Sequence, residues 1–317
     1  IMHLDNKDNI GPKSESGRQE WRRKEKKPAT INENHARELM ELHTISPNGG
    51  YTQEDVIELA KIMTGWRPKW TKKKDNGNDV GFISKYHEPG KKIVLGKEYK
   101  RGRKGIELAI KDLVKHPSCR EFIATKLCRY LITDNPTPEM IAPVVKAWEQ
   151  SDGFLPEVHK AAIKVAFEYN DKYRKFQNPE NWWLTTINMS GSTYSYPTKE
   201  KMIDSHKLGL KPFGDIRWQG WFLEDLGCHP YRQKQPNGFS DFEKDWMSTE
   251  MIIRRIMYAK KAFHKYNVND QISDDIHEKI VRNNFDNPDK ILKILSKAKT
   301  NEEKHILLFN LPEVLKA

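Results

Sequence analysis

The segment from Asn32 to Trp66 constrains this chain more than any other. It opens with Asn32-Glu33-Asn34-His35-Ala36-Arg37-Glu38-Leu39-Met40-Glu41-Leu42-His43. At about 100° per residue, Asn34, Arg37, Glu38 and Glu41 fall within an arc of roughly 100°. Ala36, Leu39, Met40, Leu42 and His43 take the other side, so the run is an amphipathic helix that must bury that face against a partner. His43, in the middle of the apolar face, reads as a core or C-terminal histidine that satisfies nearby carbonyls. Pro47-Asn48-Gly49-Gly50 is a turn signal. A second helix starts at Thr52, with Asp55 three residues on as a capping-box variant and Val56, Leu59, Ala60 and Met63 as its apolar stripe. Gly65-Trp66 ends it, the tryptophan serving as a packing anchor. The segment predicts a helical hairpin.

The polar stripe admits two readings. Glu33/Arg37 and Arg37/Glu41 are i,i+4 pairs that would stabilise a solvated face. If the stripe is buried, two carboxylates beside one arginine need full pairing, and their pKa values are pushed apart. They then become candidates for acid-base work or for a hard metal. His87, in a loop beside Glu88, and His116, just before a proline at a helix start, sit where an imidazole can face a cleft. An enzyme-like set would comprise Arg37, Glu38, Glu41, His87 and Lys91. Glu38, Glu41 and His116 would make a mixed carboxylate-imidazole site for a divalent metal, with zinc, manganese or iron as suitable ions. No H-E-x-x-H spacing occurs and none of these candidates stands in an E-x-x-H, so such ligands must converge from separate elements. In the structural alternative, Lys91 and Lys126 neutralise the glutamates. No nucleophile elbow, P-loop or dinucleotide fingerprint is present.

These segments, taken together, resemble a bacterial family known as domain of unknown function 1800 (DUF1800). Its Asn-Glu-Asn-x-Ala-Arg-Glu-Leu-x-Glu-Leu-His, Tyr-Thr-x-x-Asp-Val and Thr-Gly-Trp runs are matched by residues 32–43, 51–56 and 64–66. Tyr86-His87-Glu88-Pro89-Gly90-Lys91-Lys92-Ile93-Val94-Leu95-Gly96 resembles its His-Asp-x-Gly-x-Lys-x-x-Leu-Gly segment, with Glu88 where an aspartate is usual. His116-Pro117 through Phe122-Ile123-Ala124-Thr125-Lys126-Leu127 resembles its His-Pro-x-x-x-x-Phe-Ile-x-x-Lys-Leu segment. Leu226-Gly227 and Trp246-Met247-Ser248 match further pieces, while Gly238-Phe239 replaces a Gly-Trp. The resemblance covers roughly residues 1 to 265. It implies an all-helical bacterial protein whose activity is not established. Met2-His3-Leu4-Asp5-Asn6 resembles a mid-domain segment, so the resemblance also implies a fragment. Export or a periplasmic location is an expectation that the family brings.

Elsewhere the helical period dominates, over about 105–115, 118–132, 137–150, 155–170, 180–190, 198–209, 247–266, 271–284, 288–298 and 301–309. Strand signals are confined to Gly81-Phe82-Ile83-Ser84 and Ile93-Val94-Leu95, which could pair as a small hairpin. The expected fold class is all-α, an irregular multi-helix domain with at most one small β-hairpin. Residues 10 to 30, rich in Lys, Arg, Gly, Ser and Pro, suggest a mobile basic segment over 1–30. A helical domain over 31–266 and a helical C-terminal extension over 267–317 follow. Residues 210 to 246 form an aromatic-rich connection ordered by packing. Cys119, Cys128 and Cys228 have no zinc spacing and read as buried free thiols.

No apolar stretch is long enough to span a membrane. The net charge of +11 permits an anionic ligand or polymer as partner. Basic clusters stand at Arg22-Arg23-Lys24, Lys72-Lys73-Lys74 and Lys100-Arg101-Gly102-Arg103-Lys104, yet no nucleic-acid module is recognisable and specific nucleic-acid binding is not expected. Arg101, Arg103 and Lys104 could receive a phosphate or carboxylate. Two functions of different class remain: an enzyme-like polar pocket, with or without a divalent metal, and a noncatalytic helical scaffold or binding protein with a basic surface.

Overall fold

A computed structural model describes residues 4–23, 29–68, 80–190, 223–229, 233, 235–266 and 275–316. The fold is mostly helical, and the helices begin where the sequence signals them. Prolines occupy the first turns of α5 (Pro117–Leu131), α6 (Pro138–Gln150) and α8 (Pro179–Ser190), where a missing N–H costs nothing. Helix α4 (Lys104–Lys115) precedes them and α7 (Leu155–Tyr169) runs between α6 and α8. The expected hairpin is α2 (Asn34–Glu41) and α3 (Gln53–Met63), preceded by α1 (Glu15–Arg23). The C-terminal part holds α9 (Thr249–Tyr266), α10 (Asp275–Asn284), α11 (Pro288–Leu295), α12 (Asn301–Phe309) and the single turn α13 (Pro312–Leu315). The helix expected over 198–209, the cluster Lys72-Lys73-Lys74 and residues 210–222 of the aromatic-rich connection lie outside the described residues.

The two strand-like runs do not pair with each other. Among the described residues there are two antiparallel pairs, β1 (Trp66–Pro68) with β2 (Val80–Phe82) and β3 (Lys92–Val94) with β4 (Lys97–Tyr99). Leu95 and Gly96 both have positive φ, 51° and 74°, as in the tight two-residue turns whose twist matches that of a hairpin. Strand β3 therefore folds back onto the residues that follow it, and β2 is left to pair with Trp66.

Two compact units are distinguished, Ile1–Cys128 with Pro136–Phe167, and Arg129–Asn135 with Glu168–Ala317. The boundary of compactness thus falls near residue 168 rather than at 266, and residues 275–316 are no appendage. Ile280, Val281, Ile291, Leu308 and Phe309 share one buried cluster with Trp182 of α8 and Tyr258 of α9. The start of the chain also departs from expectation. Residues 4–23 include a 3-10 turn at Asn6–Asp8 and helix α1, with Asn6, Asn9, Ser14 and Ser16 buried. Composition suggested mobility here, but the asparagine carboxamides find backbone partners. His43 is exposed, because α2 ends at Glu41 and the helical projection no longer applies beyond it.

Candidate functional site: the polar cross-links of the first unit

Helix α3 is the hub. Its capping box is complete: the Asp55 N–H donates to Thr52 Oγ1, and the Thr52 N–H donates to the Asp55 carboxylate at 2.8 Å, satisfying two helix-end donors reciprocally. The second Asp55 oxygen accepts the Leu95 N–H at 2.6 Å, and Glu58 accepts the Ile93 N–H at 3.0 Å. Two carboxylates on one helix face thus hold the β3 hairpin by its backbone. Burial alone would raise Asp55, but the N–H groups of Leu95 and Thr52 hold its carboxyl below the ordinary value. At the far end of α3, Asn6 donates to the carbonyls of Met63 and Trp66, and Asn9 donates to that of Ala60 at 2.8 Å. The Asn32 N–H donates to Asn9 Oδ1. The Ala60 carbonyl also takes the Thr64 N–H at 3.1 Å, so side chains from the start of the chain add donors around the C-terminus of α3 and the strand that follows it.

Thr64, fully buried, donates its hydroxyl to the Lys61 carbonyl and accepts the Glu88 N–H. Its own carbonyl lies 2.9 Å from His87 Nδ1, while His87 Nε2 is 3.1 Å from the Gly102 N–H. Nδ1 therefore carries the proton and Nε2 accepts, a neutral tautomer with both ring nitrogens taken by backbone. Burial pushes this imidazole down to about 4. The Glu88 carboxylate accepts the Lys13 N–H at 2.9 Å. Gly11 fits against Glu88 because it has no side chain, since a Cβ there would stand 2.6 Å from Glu88 Cα. Lys92, 2% exposed, donates to the carbonyls of Glu88 and Gly90. Burial lowers it to about 8, outweighing the pull of Glu88 and Glu58.

The sequence-derived candidates separate into distinct sets of contacts. Arg37 forms both expected ion pairs, to Glu33 at 2.7 Å and Glu41 at 3.1 Å, on a face about one-third exposed. Gln53 of α3 completes this network by bonding Arg37 and Glu33. Glu33 leads the causes that raise the Arg37 guanidinium above its ordinary value. Tyr51 is pushed up to about 12, by burial first and then by Glu41. Glu38 is half-buried on the same helix. Lys91 is exposed and pairs with Glu98 rather than with a glutamate of the stripe. His116, half-buried, accepts the Ser118 N–H at 3.2 Å where α4 gives way to α5. Among the described residues, no group of three or more His, Cys, Asp or Glu side chains comes together in a way that could hold a metal. The buried lysine is Lys92, one residue beyond the candidate. The His-Asp-x-Gly-x-Lys spacing laid on His87 already puts its lysine at 92. Thr64, Asn6 and Asn9 carried no chemical signal of their own.

Beyond the network lies a basic face. Lys100, Arg101, Arg103 and Lys104 are exposed and have no carboxylate within ion-pair distance among the described residues. The His87–Gly102 bond fixes the loop that carries them. Lys104, Lys111 and Lys115 then project from α4 within about 40° of one another, all exposed. Cys119, Cys128 and Cys228 are buried and unpaired, and burial raises each thiol to about 11, far from the reactive thiolate range.

Fold and site define a mostly helical protein in which motif side chains tie backbone segments together beside an exposed basic strip. The chain matches the family described as "Protein of unknown function (DUF1800)" over residues 1–314, and it belongs to that family. The C-terminal helices are thus part of the family match, which runs past residue 265. No curated protein and no solved structure matches the chain. No helix among the described residues is long and apolar enough to cross a membrane.

Proposed function

We propose that this chain is a noncatalytic binding protein whose first unit presents its basic strip to an anionic polymer. The observation that carries this reading is the alignment of exposed cations, of which Lys115 alone pairs with a carboxylate among the described residues, Asp152 at 3.9 Å. Arg101, Arg103 and Lys104 stand at the start of α4, and Lys111 and Lys115 continue the strip for about 16 Å along it. Such a row suits a partner with regularly spaced charges. It gives affinity through charge neutralisation and counterion release, without demanding a particular sequence. The positive end of the α4 dipole adds to the attraction. In this reading, Asp55, Thr64, His87 and Lys92 keep the strip rigid instead of acting on a substrate, and Arg37 with Glu33 and Glu41 stabilises a solvated face. The test is binding of inorganic polyphosphate by the full chain over a series of salt concentrations. The expected result is an affinity that falls steeply with salt, and about tenfold or more weaker binding in Lys104→Glu/Lys111→Glu. Salt-independent binding, or an unchanged affinity in the variant, would overturn the reading.

A further inference from the structure

The second unit carries a groove that the basic strip does not use. Two hollows, of about 460 and 340 Å³, share Gln177, Thr185 and Asn188 as a common wall. Asn178, Asn181, Thr185 and Asn188 lie within about 80° of one another around α8 and its N-terminus, and they extend for about 15 Å. All four line the hollow of 340 Å³. Tyr130 and Trp246 stand at that hollow, and Phe285 at the other.

The wall is built, not incidental. Gln177 is 6% exposed, donates from Nε2 to the Val314 carbonyl and accepts the Thr185 hydroxyl. Fully buried Arg255 on α9 donates to the Gln177 carbonyl at 2.5 Å, with its guanidinium 4.6 Å from the Phe176 ring centre and 5.3 Å from that of Trp182. Nε and Nη1 of Arg255 have no partner among the described residues. A buried cation with no carboxylate is costly. What Arg255 supplies in return is a fixed position for Phe176 and Gln177, the floor shared with the groove.

The chemistry of the lining selects the ligand. The charges around the two hollows balance, with Arg174, Lys175 and Lys290 against Asp241, Asp286 and Glu313. Lys175 is already paired with Asp134 at 2.9 Å. No surplus cation therefore waits for an anion. The groups left open are carboxamides: Asn188 has no partner, and the Nδ2 groups of Asn178 and Asn181 are unbonded, among the described residues. Asn181 is oriented through the Tyr130 hydroxyl at 3.2 Å. A carboxamide donates and accepts at adjacent atoms, and vicinal hydroxyls of a sugar do the same. Exposed Tyr130 offers a ring face to the C–H side of a pyranose. An extended peptide would instead call for a free strand edge, and the extended stretch at Phe176 is already bridged to Lys316.

We propose that the groove along α8 binds a neutral oligosaccharide, with Asn181 and Asn188 pairing with its hydroxyls and Tyr130 stacking on a ring. The test is calorimetric titration of the full chain with cellohexaose, maltohexaose and chitotetraose, at low and at high salt. The expected result is saturable binding of at least one of them, indifferent to salt. Asn181→Ala/Asn188→Ala should weaken it about tenfold or more, and Tyr130→Ala likewise. Asn188 is exposed and its carboxamide bonds nothing among the described residues, so Asn188→Ala alone is expected to keep the melting temperature while it loses part of the affinity. Three outcomes overturn the proposal: no oligosaccharide saturates the protein, binding is equal in the variants, or only a neutral Gly-Ser decapeptide or polyphosphate competes for the groove. Because polyphosphate binding by the strip is salt-dependent and lies in the other unit, failure of either proposal leaves the other standing.

Discussion

In the first unit, segments far apart in sequence are joined by polar side chains bonded to backbone: Asn9 to Ala60, Asp55 to Leu95, His87 to Thr64 and Gly102. In the second, polar joints such as Gln177 to Val314 and Arg255 to Gln177 stand beside a larger apolar core, with Trp182 edge-on to Tyr258 at 5.5 Å and Val281, Leu308 and Phe309 in the same cluster. A polar cross-link needs one residue type at one place, because a shorter or apolar side chain leaves a buried carbonyl or N–H unpaired. An apolar core needs volume and periodicity, and tolerates exchange among residues of similar size. The first unit accordingly announces itself in short motifs. The second, which the family match also covers, shows little beyond helical period.

The sharpest difference should appear on substitution. Trp182→Ala removes a fully buried indole and its bond to the Phe309 carbonyl, and should cost about 3–5 kcal/mol in a urea melt. Leu308→Met, at an equally buried site in the same core, should cost under about 1.5 kcal/mol. If the two were equally damaging, the second unit would not be a tolerant apolar core.

Acid should weaken both units through histidines that burial holds down, His35 and His87 in the first and His305 in the second. Each is lowered to about 4, burial leading in every case, with His277 adding to the effect on His305. The unfolded chain takes up these protons near 6.5, before the folded protein does. The stabilisation is therefore complete above about pH 6.5 and is lost as pH falls toward 4, on the order of 3 kcal/mol for each group. Melts from pH 7 to 4 should show the loss, and His87→Gln should flatten part of the curve.

Within the first unit, Asn9→Leu keeps the volume but strands the Asn32 N–H and removes one of two donors to the Ala60 carbonyl, and should cost about 2 kcal/mol. A neutral result would make the polar joints dispensable. The smallest effect is expected for Glu41→Gln, under about 1 kcal/mol, because the pair with Arg37 is one-third exposed and Glu33 remains.

The parts legible in the sequence are those whose causes are local. The Thr52/Asp55 capping box, the α2–α3 hairpin and the proline-led helices follow from residues a few positions apart. The Glu33–Arg37–Glu41 network was readable as spacing, but its exposure was not, since that depends on what packs across α2. The same holds for His87: it stands in a motif, but its partners Thr64 and Gly102 are 23 and 15 residues away, and only the fold brings them to both ring nitrogens. The pairing of β3 with β4 turned on positive φ at Leu95, a conformation that a leucine rarely adopts and does not announce.

The most direct test of the claim that these motif residues hold the fold rather than perform chemistry is nitrogen NMR of His87 in the full chain, assigned with His87→Gln. The expected spectrum shows one neutral ring, protonated at Nδ1, with no titration between pH 8 and 5. A ring that exchanges tautomers and titrates near 6.5 would contradict it, and would return His87 to the role of an accessible acid-base group.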